Sequence, residues 1–253
     1  MDLGLKGLRA VITGGTKGIG RAAAEIFVAE GARVALCARN EGEVRDTVSA
    51  LMKGGTPAFG QAVDVSKKAA LESFVGEAAN AMGGIDIVVA NVSALAVADD
   101  EAAWKAGFET DIMHSVRLVN AAMPWLEKSK AASIVLVSSV SGREIDFTGP
   151  AYGAFKAALV HYAQGLAYKL AGKGIRANTV SPGNTYFPGG IWQQIETGNP
   201  DLFKTALGLN PTGRMATAEE IARGIVFLSS PASSFTTGTN LVIDGALTKG
   251  VQL

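Results

Sequence analysis

Tyr152 is followed one helical turn later by Lys156, and Ser139 stands upstream of both. In a helix that runs from Pro150 onward, the tyrosine and the lysine would share one face. A free phenol has a pKa of about 10, too high for efficient proton transfer near neutrality, and a nearby ammonium stabilises the phenolate. A serine hydroxyl can hold a carbonyl oxygen while the phenol protonates it. The three side chains therefore predict a proton-transfer site that needs a hydride donor, although most pairs at this spacing only lie on a helix surface.

A glycine-rich segment at residues 13–20 follows the first predicted strand and opens the first predicted helix. Its glycines Gly14, Gly18 and Gly20 let the backbone turn tightly and approach a pyrophosphate at a helix N-terminus. A glycine-rich loop alone is often a plain turn. Between a strand and a helix it indicates dinucleotide binding, which would supply the hydride donor.

The end of the second predicted strand indicates which dinucleotide is bound. Proteins that prefer NAD usually place an Asp or Glu there to hold the ribose hydroxyls, and residues 36–40 contain no acid. Arg39 can pair with a 2′-phosphate, and Lys17 in the glycine-rich segment can add a second positive charge. These features favour NADP(H), although both cations could be ordinary surface residues.

Three further residues lie at predicted strand ends, where an open α/β sheet binds its ligand. Asp64 and Val65 follow the third strand, and Asn91 follows the fourth. Asp64 could instead cap the helix that begins near Lys67, and both roles could hold together.

Short apolar runs alternate with longer amphipathic segments, which predicts a parallel sheet covered by helices on both faces. The predicted strands are 8–13, 32–37, 57–63, 85–90, 133–138, 176–180 and 240–243. The predicted helices are 18–30, 41–52, 67–82, 101–128, 151–171 and 218–228. The irregular stretch 182–214 is typical of a functional lid, which we set at about 184–214. No linker or repeat divides the chain, so we expect one domain, residues 1–253.

Composition excludes several classes of partner. The chain has 23 Lys and Arg residues against 23 Asp and Glu residues, which argues against nucleic acid or an anionic membrane as the main partner. Cys37 is the single cysteine and suits a reducing cytosol. No apolar run is long enough to span a bilayer and the first residues lack a signal-peptide pattern, so we expect a cytoplasmic protein.

Several motifs occur in an order and spacing that resemble the short-chain dehydrogenase/reductase family over nearly the whole chain. They are Thr13-Gly14 with Gly18-Ile19-Gly20, Asp64-Val65, Asn91-Val92-Ser93, Ser139 with Tyr152 and Lys156, Pro182-Gly183, Arg214 with residues 219–222, and Asp244-Gly245. Within the family, the chain is similar to carbonyl reductases of the 3-oxoacyl-acyl-carrier-protein reductase type.

The resemblance implies an α/β fold: a single Rossmann-type doubly wound domain with a seven-stranded parallel sheet and helices on both faces. It implies hydride transfer between NADP(H) and a ketone or secondary alcohol. Tyr152 would be the general acid/base, Ser139 would orient the substrate oxygen, and Lys156 would support the phenolate and hold the nicotinamide ribose. Asn184 falls on the nicotinamide side. The implied cofactor-binding residues are Gly14, Thr16, Lys17, Gly18, Ile19, Gly20, Arg39, Asp64, Val65, Asn91, Tyr152, Lys156, Pro182, Gly183 and Thr185.

Three positions depart from the family pattern. Val92 and Ser93 replace the usual small residues after Asn91, which could narrow the channel, and Ala246 replaces a glycine near the end. By an ungapped count, Asp111 stands where the family has a catalytic asparagine that holds a water linking the lysine to solvent. A carboxylate can accept a hydrogen bond from such a water but cannot donate one, and it stabilises a nearby ammonium. Asp111 could be a neutral variant, a modified proton relay or the mark of a weak or inactive relative.

The expected substrate is a small, largely apolar ketone or alcohol, because the predicted lid is rich in aromatic residues and few charges lie near the mouth. Residues 93–97, 141–147 and 185–209 would form the pocket walls. An acyl-carrier-protein substrate would call for a basic cluster, and none is evident. His114 and His161 do not form a metal site, because neither has ligand partners at a suitable spacing. Relatives commonly pack through the segments 101–128 and 151–171, so we expect a homodimer or homotetramer. The alternatives are a nucleotide-binding sensor or assembly partner without turnover, and a methyltransferase, which would leave the Tyr–Lys pair unexplained.

Overall fold

The strands of the main sheet form where the short apolar runs predict them, whereas a further pair of two-residue strands was not predicted. The computed structural model describes residues 2–251. Its strands are β1 (Arg9–Thr13), β2 (Arg33–Ala38), β3 (Ala58–Ala62), β4 (Ile87–Ala90), β5 (Ser133–Val137), β6 (Arg176–Pro182), β7 (Thr185–Tyr186), β8 (Ala216–Thr217) and β9 (Asn240–Ile243). Seven of them pair in parallel in the order β3-β2-β1-β4-β5-β6-β9, while β7 and β8 form a separate two-stranded sheet. The predicted seven-stranded parallel sheet is confirmed.

Helices connect these strands, as the amphipathic segments predict. They are α1 (Gly18–Ala29), α2 (Glu41–Met52), α3 (Lys68–Met82), α4 (Glu101–Gly107), α5 (His114–Leu126), α6 (Pro150–Leu170), α7 (Ile191–Gly198), α8 (Pro200–Gly208) and α9 (Ala218–Ser229). None of the helices within residues 2–251 is long and apolar enough to cross a membrane.

Both faces of the large sheet are covered. On one face, Phe74 of α3, Leu118 of α5 and Leu159 of α6 share a core with alternate strand residues. On the other, Phe27 of α1 and Ile225 of α9 share a second core with the remaining strand residues. Because both strand faces are buried, the strands read as continuous apolar runs in the sequence.

The predicted helix 101–128 has a local change of winding. Between α4 and α5 the backbone forms a π-helical segment, Phe108–Met113, which the apolar pattern did not reveal. The hydroxyl of Ser115 donates to the backbone carbonyl of Asp111 at 2.7 Å within this stretch. Single π-helical turns inside α-helices are frequent at functional sites. Here the turn contains Asp111, whose side chain is buried against α6.

The stretch 182–214 is more regular than predicted. After β7 it forms α7 and α8, which pack through a small apolar cluster of Trp192, Ala206 and Met215. Asn199 separates the two helices and caps the second, because its side chain accepts a hydrogen bond from the backbone N–H of Leu202. The prediction of an irregular stretch is therefore wrong here, because two short amphipathic helices bury their apolar faces against each other.

Candidate active site

The glycine-rich segment occupies the point where the strand order reverses, between β1 and β4. Gly14 has φ +69 and Gly18 has φ +51, in the left-handed region that favours glycine. A Cβ on Gly20 would lie 2.2 Å from the carbonyl oxygen of Gly14, so only glycine fits there. Lys17 precedes α1 without capping it through its side chain. The first N–H groups of α1 therefore face a loop that can take up an anion.

Asn91 supports this loop from the end of β4. Its side-chain amide donates to the carbonyl oxygens of Gly14 at 3.1 Å and Thr13 at 3.3 Å, and its backbone N–H donates to the Thr13 hydroxyl at 3.2 Å. The neighbouring Val92 packs against the same loop, since a Cβ on Gly14 would lie 3.0 Å from its Cγ2 atom. Asn91 therefore fixes the shape of the glycine-rich segment.

His114 is fully buried behind this network. Its Nε2 lies 2.9 Å from Oγ1 of Thr13 and its Nδ1 lies 3.0 Å from the carbonyl oxygen of Thr110. Because a carbonyl only accepts hydrogen bonds, Nδ1 carries the proton and Nε2 accepts from the threonine. Burial lowers the pKa of His114 to about 4, which outweighs the opposing effects of the Thr110 carbonyl and Asp111. The imidazole is therefore neutral near pH 7, a role that no motif in the sequence indicates.

The predicted adenosine end is a cavity of about 590 Å³ beside the ends of β1, β2 and β3. Arg39, Lys17, Asp64 and Val65 all line it. It also contains Glu43, which was not predicted because it lies beyond the strand end at residues 36–40. The sequence feature that could have identified Glu43 is its position in the first turn of α2.

Asp64 lines this cavity but does not cap α3. Its Oδ1 accepts hydrogen bonds from the backbone N–H of Ser66 at 3.0 Å and from the Ser66 hydroxyl at 2.8 Å, forming a local turn. These bonds hold the pKa of the Asp64 carboxyl below its usual value. The helix α3 begins at Lys68 and its N-cap Lys67 provides no side-chain cap, so the predicted capping role is wrong.

Ser139, Tyr152 and Lys156 line one cleft of about 250 Å³ at the ends of β5 and β6. Pro182, Gly183 and Thr185 line the same cleft, as do Ile19 and Asn91. Tyr152 and Lys156 occupy consecutive turns of α6, and the lysine Nζ lies 5.5 Å from the centre of the tyrosine ring. The Nζ also donates to the Val137 carbonyl oxygen at 3.1 Å. The structure thus brings together three side chains that the sequence analysis grouped by type.

Asp111 forms a buried ion pair with Lys156. Its Oδ1 lies 3.1 Å from the lysine Nζ, and the two side chains are 2% and 3% exposed. Its Oδ2 accepts a hydrogen bond from the backbone N–H of Ala94 at 3.0 Å. Among residues 2–251, no donor is aligned for a hydrogen bond to Oδ1. The contact between Asp111 and Lys156 is therefore chiefly electrostatic and not a directed hydrogen bond.

Ser139 belongs to a hydrogen-bonded chain that the sequence analysis did not predict. Its Oγ accepts from the backbone N–H of Ser141 at 3.2 Å and lies 3.2 Å from the Ser141 hydroxyl. The Ser141 hydroxyl in turn donates to the Asp146 carboxylate, which only accepts. Ser141 must then accept from Ser139. Two residues outside the motif therefore orient the Ser139 hydroxyl.

Two aromatic residues of the predicted lid, Phe187 and Trp192, contact other parts of the chain. The ring of Phe187 covers Gly18, since a Cβ there would lie 2.5 Å from a ring carbon. Trp192 lines the cleft and makes an edge contact with Phe147, with ring centres 5.8 Å apart. Phe187 and Trp192 therefore place the segment after β6 directly over the glycine-rich loop and the cleft.

The last motif contains an unusual backbone conformation. Ala246 has φ +65, a value that favours glycine, at the position where the family pattern has glycine. The Asp244 carboxylate accepts hydrogen bonds from the backbone N–H groups of Ala246 at 3.0 Å and Thr248 at 2.9 Å. These bonds hold the turn although its residue is not glycine.

Comparison with known proteins assigns the family. A family model described as enoyl-(acyl carrier protein) reductase matches residues 14–248. Isoepoxydon dehydrogenase of Penicillium expansum is 41% identical, with 100% of this chain and 99% of the relative covered. A tropinone reductase homologue of Arabidopsis thaliana is 34% identical, with 96% and 92% covered.

Solved structures agree with this assignment. L-sorbose reductase from Gluconobacter frateurii, complexed with NADPH and L-sorbose, has a TM-score of 0.89 at 30% identity, with 99% of this chain and 100% of that chain covered. An NADPH-bound short chain oxidoreductase from Pseudomonas aeruginosa PAO1, described as containing an atypical catalytic center, has a TM-score of 0.90 at 29% identity, with 96% and 98% covered. The motifs, the sheet order and these relatives together make this chain an oxidoreductase of the short-chain dehydrogenase/reductase family.

Proposed function

We propose that this protein is an NADP(H)-dependent oxidoreductase that interconverts a small, largely apolar ketone and the corresponding secondary alcohol. The observation that carries the proposal is the presence of Ser139, Tyr152 and Lys156 in one cleft beside the glycine-rich segment. The names of the relatives support a small-molecule substrate, and two of the similar structures hold NADPH.

The residues of the large cavity fit NADP(H). The glycine-rich segment turns tightly through Gly14 and Gly18, and at this turn α1 presents an N-terminus that Lys17 does not cap with its side chain. Arg39 is exposed at the cavity and forms no ion pair within residues 2–251. It would hold the 2′-phosphate, and Lys156 would hold the nicotinamide ribose. The chemistry that NADP(H) supplies when bound is hydride transfer to or from carbon.

Each side chain of the cleft has one proposed task. Ser139 donates a hydrogen bond to the substrate oxygen, for which its hydroxyl must turn away from Ser141. Tyr152 gives its phenolic proton to that oxygen during reduction and takes the proton back during oxidation. Lys156 places its positive charge beside the tyrosine ring and stabilises the phenolate.

Asp111 holds the lysine in this arrangement. The buried carboxylate balances the charge of Lys156 and links it to the backbone of Ala94. We propose an active enzyme whose proton relay runs past a carboxylate in place of the usual amide. The alternative, an inactive relative that binds nucleotide as a sensor or assembly partner, leaves the grouping of Ser139, Tyr152 and Lys156 in one cleft unexplained.

The remaining predictions about the whole protein belong to the same proposal. Apolar walls of the cleft include Leu95, Ile191 and Trp192, which suit a substrate with few charges. We propose one domain in which residues of about 184–214 act as the lid. We also propose a cytoplasmic homodimer or homotetramer packed through α6 and the α4–α5 segment.

The proposal is tested with purified protein, NADPH and a panel of cyclic, aryl and hydroxylated ketones that includes L-sorbose. We expect oxidation of NADPH with at least one ketone. Tyr152→Phe should lower kcat by about 1,000-fold or more, because the proton donor is lost, while NADPH affinity stays within about twofold. Tyr168→Phe is the matched control, because Tyr168 lies on the same helix and is 92% exposed.

Tight NADPH binding without turnover on any ketone would favour the alternative of a non-catalytic relative. Substantial activity in Tyr152→Phe would overturn the acid/base role of this tyrosine.

A further inference from the structure

Glu43 places a carboxylate inside the cavity proposed for the adenosine end. It lines the cavity together with Lys17 and Arg39, the two cations that favour NADP(H). Its side chain is 34% exposed, so it reaches the cavity without being buried in the core. A bound 2′-phosphate would therefore meet one negative charge among these cations.

The Glu43 carboxylate is held in place by the glycine-rich segment. One oxygen lies 2.7 Å from Nζ of Lys17 and the other accepts a hydrogen bond from the Thr16 hydroxyl at 3.2 Å. Its own backbone N–H donates to the Asn40 side chain, which caps α2 at 3.0 Å. The ion pair with Lys17 holds the pKa of Glu43 below its usual value, so the carboxylate is charged near neutrality. The residue thus bridges the first loop to α2.

Because of this bridge, the two cations of the cavity differ in whether their charge is paired with a carboxylate. The charge of Lys17 is compensated by Glu43, whereas Arg39 has no ion-pair partner within residues 2–251. Asp64 lies close enough to Arg39 for each to feel the charge of the other. Of these two cations, Arg39 is therefore the one that forms no ion pair within residues 2–251 and is the more available for a phosphate.

We propose that Glu43 is a specificity-determining residue that limits the affinity for the 2′-phosphate and so narrows the preference for NADP(H) over NAD(H). Glu43 lowers the affinity for the 2′-phosphate in two ways. Its carboxylate repels the phosphate, and it holds the Lys17 ammonium in an ion pair. A dinucleotide without the 2′-phosphate avoids the repulsion. This inference rests on the proposed NADP(H) dependence and names the residue that tunes it.

The test is Glu43→Gln, which keeps the size of the side chain and an acceptor for Thr16 but removes the charge. We expect the Kd for NADPH to fall by about tenfold, because one unit charge near the phosphate is removed and Lys17 is released. The Kd for NADH should stay within about twofold, since it carries no 2′-phosphate. Glu41→Gln is the matched control, because Glu41 stands in the same first turn of α2 but is absent from the cavity wall.

Two further measurements separate a charge effect from a structural one. NADPH affinity in Glu43→Gln should fall more steeply with salt than in the wild type, because one more cation faces the phosphate. Adding Lys17→Met to Glu43→Gln should remove a large part of the gain, because the released ammonium is then absent. A merely structural role for Glu43 would weaken NADPH and NADH binding equally.

Unchanged NADPH binding in Glu43→Gln would overturn the inference, because the charge of Glu43 would then have no effect on the phosphate. Weakened NADPH binding would also overturn it, because Glu43 would then position Lys17 for the phosphate. The proposed function fails in a different way. Arg39→Asp should reverse the cofactor preference, and wild-type protein that binds NADPH no better than NADH, with no response to Arg39→Asp, would defeat the NADP(H) assignment itself. A response to Arg39→Asp without one to Glu43→Gln defeats only the inference.

Discussion

Two lysine–carboxylate pairs mark the two ends of the proposed binding groove, and they differ in burial more than in distance. Lys156 and Asp111 are 3.1 Å apart with side chains 3% and 2% exposed, whereas Lys17 and Glu43 are 2.7 Å apart with side chains 56% and 34% exposed. Removing one partner of a buried pair leaves an uncompensated charge in a medium of low polarity. An exposed pair exchanges its partner for water at little cost. The longer contact is therefore expected to matter more for stability.

The two pairs also suit different tasks. A buried ammonium held by a carboxylate and the Val137 carbonyl has one position, which is what a group that supports a phenolate needs. The exposed pair at the glycine-rich segment can open when an anion competes for the lysine. Burial gives the proposed catalytic end rigidity, and exposure leaves the proposed cofactor end adjustable.

The largest expected effect comes from breaking the buried pair. Asp111→Ala should lower the free energy of unfolding by about 3–5 kcal/mol, because the charge of Lys156 loses its partner inside the protein. Urea unfolding followed by circular dichroism at neutral pH measures this loss. The double variant Asp111→Leu with Lys156→Met should recover most of the stability, since it removes both charges. A loss below about 1 kcal/mol in Asp111→Ala would contradict the importance of burial.

A slightly smaller effect is expected from His114, a buried group whose two ring nitrogens contact the uncharged Thr13 hydroxyl and Thr110 carbonyl oxygen. Its pKa is about 4 in the folded protein against 6.5 for the free side chain, so the unfolded chain binds the extra proton between these values. The contribution of His114 to the free energy of unfolding is therefore fully present above pH 6.5. It decreases as the pH falls, by about 3 kcal/mol in total at pH 4.

Urea unfolding at several pH values tests this sign with His114→Asn beside the wild type. The variant is expected to be less stable at pH 7, because it loses packing and a hydrogen bond, but to show a shallower fall between pH 6.5 and pH 4. Other titrating groups are common to both proteins and cancel in the difference. Parallel pH curves for the two proteins would show that His114 does not carry this proton linkage.

The smallest effect is expected at the exposed pair. Glu43→Ala should change the free energy of unfolding by less than about 1 kcal/mol, and added salt should reduce the difference further. The measurement is urea unfolding at low and high salt, beside Asp111→Ala. A loss above about 2 kcal/mol would mean that Glu43 anchors the loop structurally, and the contrast between the pairs would then rest on more than burial.

Local sequence patterns predict most of the helices and strands. The strand at 240–243 and the helix at 41–52 have the predicted bounds, because turn residues and the change of apolar period mark their ends. The segment 101–128 was less predictable, since a π-helical turn barely alters the spacing of apolar residues over such a short length. The two helices after residue 190 were missed because their apolar residues pack mainly against each other.

The candidate site was predictable to the extent that its residues belong to short motifs. Tyr152 with Lys156 and the glycines at 14, 18 and 20 could be found because their spacings occur together with the other family motifs in order. Ser141 and Asp146 could not, because serine and aspartate are common in loops and nothing in their spacing indicates that they orient Ser139.

The sequence by itself determined the order of strands and helices, the glycine-rich turn and the helical spacing of the tyrosine and the lysine, all of which depend on neighbours within a few residues. The tertiary structure decided how the charges are paired and how deeply they are buried. Asp111 and Lys156 are 45 residues apart in the chain, and Lys17 and Glu43 are 26 apart. Only folding brings such residues into contact and sets the solvent exposure on which the strength of their interaction depends.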